Sequence, residues 1–354
     1  MKTIKKLIIL GVVVLMVKVI VSPAFAHKAG GNREALLKAI VKGADLHLAR
    51  QGTYSGIDNT WEWEIGTGIT GPNVQGISAT GLLAAFERTE DEDTDYIGGS
   101  VAAGDTLVSR YDATTSRPYS QDVEFLVRLS KDADNPQYAS NAATYYERVT
   151  TAFTAIQNAD RYIDGRKSLA GWDLAAQIRA AVAVGKDDYA KGMANRLLER
   201  WDDWVNIPYG GWNYKIVSFG SLLWALHELD DSDYAATIKS IREYLLSLQE
   251  TNGSWEEGDY QTTAYISLGL SAVHGKGAKD ANHKAWSFLR DSQTPEGGWS
   301  YPPEYGEVNS EVLMALGALR LDEGRKVGKS KVGERDPKPY RGRDLGKHKL
   351  DPEP

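Results

Sequence analysis

The stretches Tyr244-Leu245-x3-Gln249-x3-Gly253-x-Trp255 and Phe288-Leu289-x3-Gln293-x3-Gly297-x-Trp299 carry one pattern twice, the second copy 44 residues after the first. Self-similarity at that period marks a repeat architecture, in which a small unit is stacked until it buries a core that no single copy can bury. A fainter mark carries the period toward the N-terminus. It is a polar cluster followed by tyrosine, at Asp93-Thr94-Asp95-Tyr96, Asn135-Pro136-Gln137-Tyr138, Asp187-Asp188-Tyr189 and Asp231-Ser232-Asp233-Tyr234, with spacings of 42, 51 and 45 between the tyrosines. Asp and Asn side chains accept from the free N–H groups of a helix start, and Pro136 suits a first turn. Each cluster therefore predicts the beginning of one helix per repeat.

Every repeat follows one plan: an amphipathic helix, a loop rich in Gly and Trp, then a more apolar helix of small residues. The first helices are predicted at 33–50, 95–111, 137–157, 188–204, 233–248 and 279–291, and the second at 74–88, 119–131, 170–184, 216–229, 260–274 and 307–320. Ile238, Ile241, Leu245 and Leu248 show the helical period. The second helices, such as Ala264-Tyr265-Ile266-Ser267-Leu268-Gly269-Leu270, are apolar or small nearly all round, which requires burial on most sides. Six such pairs close into an all-α double ring, the (α/α)6 toroid, with the second helices inside. An open superhelix uses similar pairs but has a shorter usual period and lacks the long Gly/Trp loops.

Both ends read as outside this ring. Lys2, Lys5 and Lys6, an apolar run from Leu7 to Val17 and Ala24-Phe25-Ala26 form the pattern of a secretory signal peptide over 1–26. The rival, an uncleaved anchor, has too short a run: Lys18 limits it to 11 residues against the roughly 20 needed to span a bilayer. No later segment approaches that length. Residues 322–354 are Lys-, Arg-, Gly-, Asp- and Pro-rich, with few large apolar side chains, and are expected to form a disordered charged tail. The toroid domain is then 27–321. Export to the periplasm or medium follows from the leader, and a monomer is expected.

Of 41 basic and 48 acidic residues, the leader holds 4 basic, and the tail 10 basic and 7 acidic; 27 basic and 41 acidic remain between them, net −14. A core so acidic repels nucleic acid and argues against polyanionic substrates such as pectate or alginate. The basic tail is the one part suited to an anionic surface. The chain has no cysteine, which removes disulfides, thiolate nucleophiles and Cys-containing zinc sites.

The doubled motif resembles the QW repeat of the terpenoid cyclase and protein prenyltransferase toroid superfamily, which includes squalene-hopene cyclases. Trp212 after Gly210-Gly211, and Gln51 followed by Gly52 and Gly56, keep traces of it. The resemblance implies a structural role for Gln249, Trp255, Gln293 and Trp299, tying one helix end to the next. Its chemistry transfers poorly. The Asp-x-Asp-Asp acid motif of squalene-hopene-type cyclases is absent from the sequence, and Asp230-Asp231-Ser232-Asp233 has the wrong order. The zinc ligands of prenyltransferases include a cysteine, which this chain lacks. His47, His227, His274 and His283 show no paired ligand spacing. Toroids of this shape also include exported polysaccharide lyases and inverting glycosidases.

In a closed ring, the loops that lead into the inner helices gather at one mouth. Here they hold Trp61, Glu62, Trp63 and Glu64; Arg117 and Tyr119; Trp172 and Asp173; Trp212, Tyr214 and Lys215; Trp255, Glu256, Glu257, Asp259 and Tyr260; and Tyr301, Glu304, Tyr305 and Glu307. Flat rings stack on the apolar faces of pyranoses, and a pair of carboxylates can divide general acid from base or nucleophile. The catalytic candidates are therefore Glu256, Glu257, Asp259, Tyr260, Glu304 and Glu307. The substrate-binding candidates are Trp61, Glu62, Trp63, Glu64, Arg117, Tyr119, Trp172, Asp173, Trp212, Tyr214, Lys215, Tyr301 and Tyr305. A lyase instead needs a basic group or tyrosine, for which Tyr214, Lys215, Tyr260, Arg117 and Tyr119 are available. The same loop tryptophans can serve as packing, and Asp259 and Glu307 as helix caps. Asp91, Asp93 and Asp95 alternate like part of a calcium loop but lack its glycine and distal glutamate, so no cofactor is expected and calcium stands only as a minor alternative. The sequence thus leaves three readings: a carbohydrate-active hydrolase or lyase, a non-catalytic toroid binding a glycan, small molecule or protein, and a terpenoid-type cyclase.

Overall fold

The computed structural model describes residues 29–89, 95–206, 214–273, 275, 277–299 and 303–319. The leader, the tail, Asp91, Asp93, Trp212 and Tyr301 lie outside the described residues.

Six inner helices follow in order: α2 (Val74–Thr89), α4 (Ser120–Asp132), α7 (Ala170–Ala183), α10 (Lys215–Leu229), α12 (Tyr260–Val273) and α14 (Gly306–Ala318). Each packs on the next, and α14 returns to α2, so the ring is closed. The outer layer consists of α1 (Ala29–Ala49), α3 (Tyr96–Asp112), α5 (Pro136–Ala152), α8 (Asp187–Glu199), α11 (Ala235–Ser247) and α13 (Ala278–Ser292). The chain is an (α/α)6 toroid.

The all-round apolar character of the inner helices has a structural cause, because each touches two ring neighbours and an outer partner. Where α10 and α12 cross, a Cβ on Gly220 would stand 2.7 Å from the backbone of Ile266 and Tyr265, so only glycine permits that approach. The amphipathic outer helices bury one stripe, as in α13, where Ala281, Ala285, Trp286 and Leu289 face inward.

Side-chain clasps tie consecutive outer helices around the whole circumference. Tyr96 on α3 donates to Asp45 of α1 at 2.6 Å, Tyr138 on α5 to Asp105 of α3 at 2.6 Å, and Tyr234 before α11 to Asn195 of α8 at 2.8 Å. Tyr189 on α8 reaches the carbonyl of Phe153 at the end of α5, at 3.5 Å. The recurring tyrosine therefore reaches back one repeat. The helix-cap reading of its polar cluster holds for Asn135 and Asp231, whose side chains accept from Gln137 and Asp233 N–H, but Asp95 makes no such bond and Lys186 occupies the cap position of α8.

Glutamines complete the circle. Gln249 donates to the carbonyls of Gly253 (2.9 Å) and of Ala281 on α13 (2.8 Å); Gln293 repeats this on Gly297 (2.8 Å) and on Ala39 of α1 (2.9 Å). Gln51 likewise reaches Gly99 of α3 at 2.8 Å. Gly253 and Gly297 turn with φ of +97° and +115°, and a Cβ on either would lie 2.3 Å from a carbonyl oxygen of the next outer helix, Lys284 or Lys42. Glycine is required there on both counts. The indole N–H groups of Trp255 and Trp299 donate to Leu245 and Leu289 carbonyls, each at 2.7 Å.

Three elements depart from the expected plan. The helix expected over 137–157 stops at Ala152, since Phe153 is extended and Thr154 caps a new helix, α6 (Ala155–Arg166), through a capping box with Gln157. The helix expected over 188–204 breaks at Arg200, leaving a short α9 (Trp201–Val205). A hairpin, β1 (Gly52–Tyr54) and β2 (Ile57–Thr60), turns at Ser55-Gly56, both with positive φ.

Candidate active site

Among the described residues, the loops that feed the inner helices divide into builders and candidates for chemistry. Trp61 is a builder. It is fully buried, stacks on His47 at 4.9 Å and 8°, and donates to the His47 carbonyl at 2.7 Å. The expectation that it binds substrate is corrected: it occupies the place that Trp255 and Trp299 occupy in their repeats. His47 is held neutral by burial, its pKa lowered to about 4.

Glu62 accepts from the N–H groups of Gly66 and Gly68 and so folds its own loop. Glu304 is engaged by Arg50 and by Asn309 at 3.2 Å, contacts that brace the last loop. Asp259 accepts from Thr262 N–H at 2.6 Å, the cap of α12. Glu257 is exposed, and its N–H is given to the Glu250 carboxylate. Tyr260 packs on Phe288 at 5.7 Å, and the Lys215 ammonium sits over the Tyr244 ring, so both turn toward the outer layer. Tyr214 precedes α10 at its cap position. Glu256, Glu257 and Gly258 have φ of 50°, 58° and 90°, a left-handed turn that costs two non-glycine residues about 1–2 kcal/mol each.

The first and last loops are sewn together. Glu64 and Tyr305 form an antiparallel bridge, Ile65 N–H donates to Glu304 O at 2.9 Å, and Gly306 N–H to Trp63 O at 2.9 Å. Trp63, 48% exposed, lies against Tyr305 with ring centres 5.5 Å apart. The loops thereby present an aromatic platform at the ring closure, directly above α14.

Beneath it stand Glu307 and Glu311, one turn apart on α14. Burial raises the Glu307 pKa to about 7, opposed by the Trp63 indole N–H facing the carboxyl, and its Oε2 is buried with no hydrogen-bond partner. Glu311 is fully buried and held well above the usual carboxylate range, first by burial and then by Glu307. Gln261 donates to both its oxygens, at 3.0 and 3.2 Å, and the Tyr265 hydroxyl bonds it too. Two carboxyls this close and this dry cannot both ionise readily near neutral pH, so one proton is retained between them. Glu256, an exposed residue in the turn before α12, has its carboxyl raised by partial desolvation and bonded by Thr262 Oγ1 at 2.8 Å.

Across the ring Trp172 meets Tyr265 edge-on at 5.9 Å. Deeper, Arg179 is held by Glu124 at 2.8 Å and Ser221 at 2.9 Å and covers Trp224 at 4.0 Å. Asp173 is raised to about 6 by burial, with Arg166 3.5 Å away. Tyr119 is exposed at the start of α4, and Arg117 donates to Asn158 of α6 at 3.0 Å. Glu311, Gln261, Tyr265, Glu124 and Arg179 did not figure among the sequence candidates, which were sought in loops. Their signal was a charged or polar side chain inside an otherwise apolar inner helix.

No protein-family model matches the chain. Over 80 residues, 22% of this chain and 15% of the relative, it is 29% identical to the labda-7,13-dienyl diphosphate synthase of Streptomyces clavuligerus. In fold it is similar to an inactive variant of the α-1,6-mannanase GH76A of Salegentibacter sp. HEL1_6 in complex with α-1,6-mannotriose (TM-score 0.60, 12% identity, 80% of this chain and 98% of that one). It is also similar to a protein from Actinoplanes (TM-score 0.53, 14% identity, 81% and 99%). A variant of UGL with dGlcA-Glc-Rha-Glc gives a TM-score of 0.51 at 16% identity, covering 84% and 97%. At these identities the likenesses establish the α/α toroid architecture.

Proposed function

We propose that this protein is an exported carbohydrate-active enzyme, a glycoside hydrolase acting at the ring mouth. The observation that carries the reading is the convergence of Glu307 and Glu311 on one face of α14 under the Trp63 and Tyr305 rings. A sugar stacked on Trp63 would bring a glycosidic oxygen over Glu307, whose pKa near 7 keeps a large share of the carboxyl protonated at neutral pH. Glu307 is then the general acid, raised by burial, and Glu311 is a positioning residue kept neutral beneath it by burial and by the charge that Glu307 acquires. Glu256 is the carboxylate assigned to base or nucleophile.

Hydrolysis is favoured over elimination by the state of the tyrosines and cations. Burial and Glu311 push the Tyr265 phenol well above its usual value, the wrong direction for a base, and Lys215 and Tyr260 turn to the outer layer. The likeness to two saccharide-bound toroids supports a carbohydrate ligand. The leader over 1–26 and the tail after 321 belong to the same reading. Turnover of neutral and substituted oligosaccharides by the wild type and by Glu307→Gln tests it. A variant that keeps full activity on a cleaved substrate removes Glu307 from the acid role.

A further inference from the structure

Helix α6 interrupts the six-fold plan, and its charges are sorted by face. Its two carboxylates turn to α8: Asp160 pairs with Arg196 at 2.8 Å and Arg200 at 2.9 Å, and Asp164 with Arg200 at 2.6 Å. Its arginines turn the other way. Arg161 lies over the Phe153 ring at 4.6 Å, and Arg117, from the loop before α4, lies over the same ring at 4.8 Å. Among the described residues, neither has a carboxylate within ion-pairing distance. Arg166 completes the group, its Nε 3.5 Å from Asp173 Oδ2. That oxygen is buried and accepts no hydrogen bond. Arg117 and Arg161 share the Phe153 ring, Arg166 follows Arg161 on α6, and the charges of all three and of Asp173 act on the Tyr162 hydroxyl between them.

Guanidiniums gathered without carboxylate partners repel one another, a cost that a bound anion offsets. Paired guanidiniums on an aromatic ring offer charge-assisted donors to a carboxylate or sulfate, and the vacant Asp173 oxygen accepts from a neighbouring hydroxyl. An acidic sugar carries both groups on one ring. Trp172, adjacent to Asp173, touches Tyr265, which bonds Glu311. The arginine group and the α14 carboxyls thus lie at opposite ends of one aromatic bridge.

We propose that Arg117, Arg161 and Arg166 form a subsite for one anionic sugar residue, carrying a carboxylate or sulfate, in an otherwise neutral saccharide whose scissile bond lies at Glu307. The inference rests on the hydrolase reading for the second clause alone. A densely charged polyanion is repelled by the net −14 of the core, whereas a single anionic unit is drawn to the three arginines.

Calorimetric titration of the full chain with glucuronate, a glucose sulfate monoester and glucose tests the subsite directly. Glucuronate or the sulfate should bind at least about tenfold tighter than glucose, as lost charge-assisted bonds would demand. The preference should weaken with added salt and fall about tenfold in Arg161→Gln, an exposed position where folding is not at stake, and further in Arg117→Gln with Arg161→Gln. The ratio of glucuronate to sulfate then names the anion. Equal affinity for all three sugars, no binding of any, or a preference untouched by the arginine changes overturns the subsite. Anion binding that survives while Glu307→Gln leaves turnover intact instead removes the acid assignment and keeps the subsite.

Discussion

Gln293, at the end of the last outer helix, donates its side-chain amide to the carbonyl of Ala39 in the first, 2.9 Å away across 254 positions of sequence. Its counterpart Gln249 makes the same bond to Ala281 at 2.8 Å within the chain's continuous run of repeats. One device therefore both joins neighbours and closes the ring.

Gln293→Ala and Gln249→Ala should each lose about 1–2 kcal/mol, the net worth of two hydrogen bonds to carbonyls that keep some helical satisfaction. Denaturant midpoints of the two variants check this. Unchanged midpoints in both would deprive the glutamines of their clasp role.

Trp61 and Trp63, two positions apart, should separate cleanly. Trp61→Phe forfeits the indole bond to His47 and part of the stack, and should cost about 1–3 kcal/mol. Trp63→Ala, on an exposed ring, should change stability by less than about 1 kcal/mol yet abolish most saccharide binding. Thermal melts and ligand titrations read the two effects separately.

Gly253→Ala should cost at least about 2 kcal/mol, because it combines a positive φ with a Cβ 2.3 Å from the Lys284 carbonyl oxygen. Gly297→Ala should match it through Lys42. Reduced melting temperatures in both, larger than the loss at Gly66, where φ of +89° strains an alanine but no atom lies within 4 Å, are the measurement.

Glu307→Gln should lower turnover by about a hundredfold or more, as loss of a general acid does. At slightly alkaline pH it should not lower stability, since it removes a buried carboxyl with an unpartnered oxygen. Wild-type activity should fall as pH rises through about 7, where Glu307 gives up its proton. A rate that is flat across that range in the wild type is incompatible with the assignment.

Stability should respond to pH with the same sign. Glu307 and Asp132 are raised to about 7, and Asp122 and Asp173 to about 6, chiefly by burial, from ordinary values of 4.5 for Glu and 3.8 for Asp. Folded carboxyls of this kind bind protons that the unfolded chain has already released. Unfolding then becomes easier as pH climbs from about 4 to about 7, and the penalty stops growing above that. Urea midpoints at about pH 5 should exceed those at about pH 7.5, with a shallower slope in Glu307→Gln.

The inner ring was legible almost to the residue: 74–88 became Val74–Thr89, and 260–274 became Tyr260–Val273. Burial on three sides writes itself into composition. What escaped was local. Thr154 and Gln157 spelled a capping box, yet the run of helix formers on either side concealed the break at Phe153. Tryptophan in a loop is ambiguous between wall and platform, so Trp61 and Trp63 could not be told apart until their exposure was known. Glu311 is hidden in sequence because a lone acid inside an apolar helix carries no motif, and only its burial beside Glu307 marks it.

The seam joining the first loop to the last helix has a further consequence. Trp63 belongs to the opening of the chain and Glu307 to its close, so the candidate acid and its aromatic neighbour share a site only while the two chain ends remain in register. Loss of activity should therefore precede loss of helix on mild heating, which makes turnover an early gauge of whether the circle is whole.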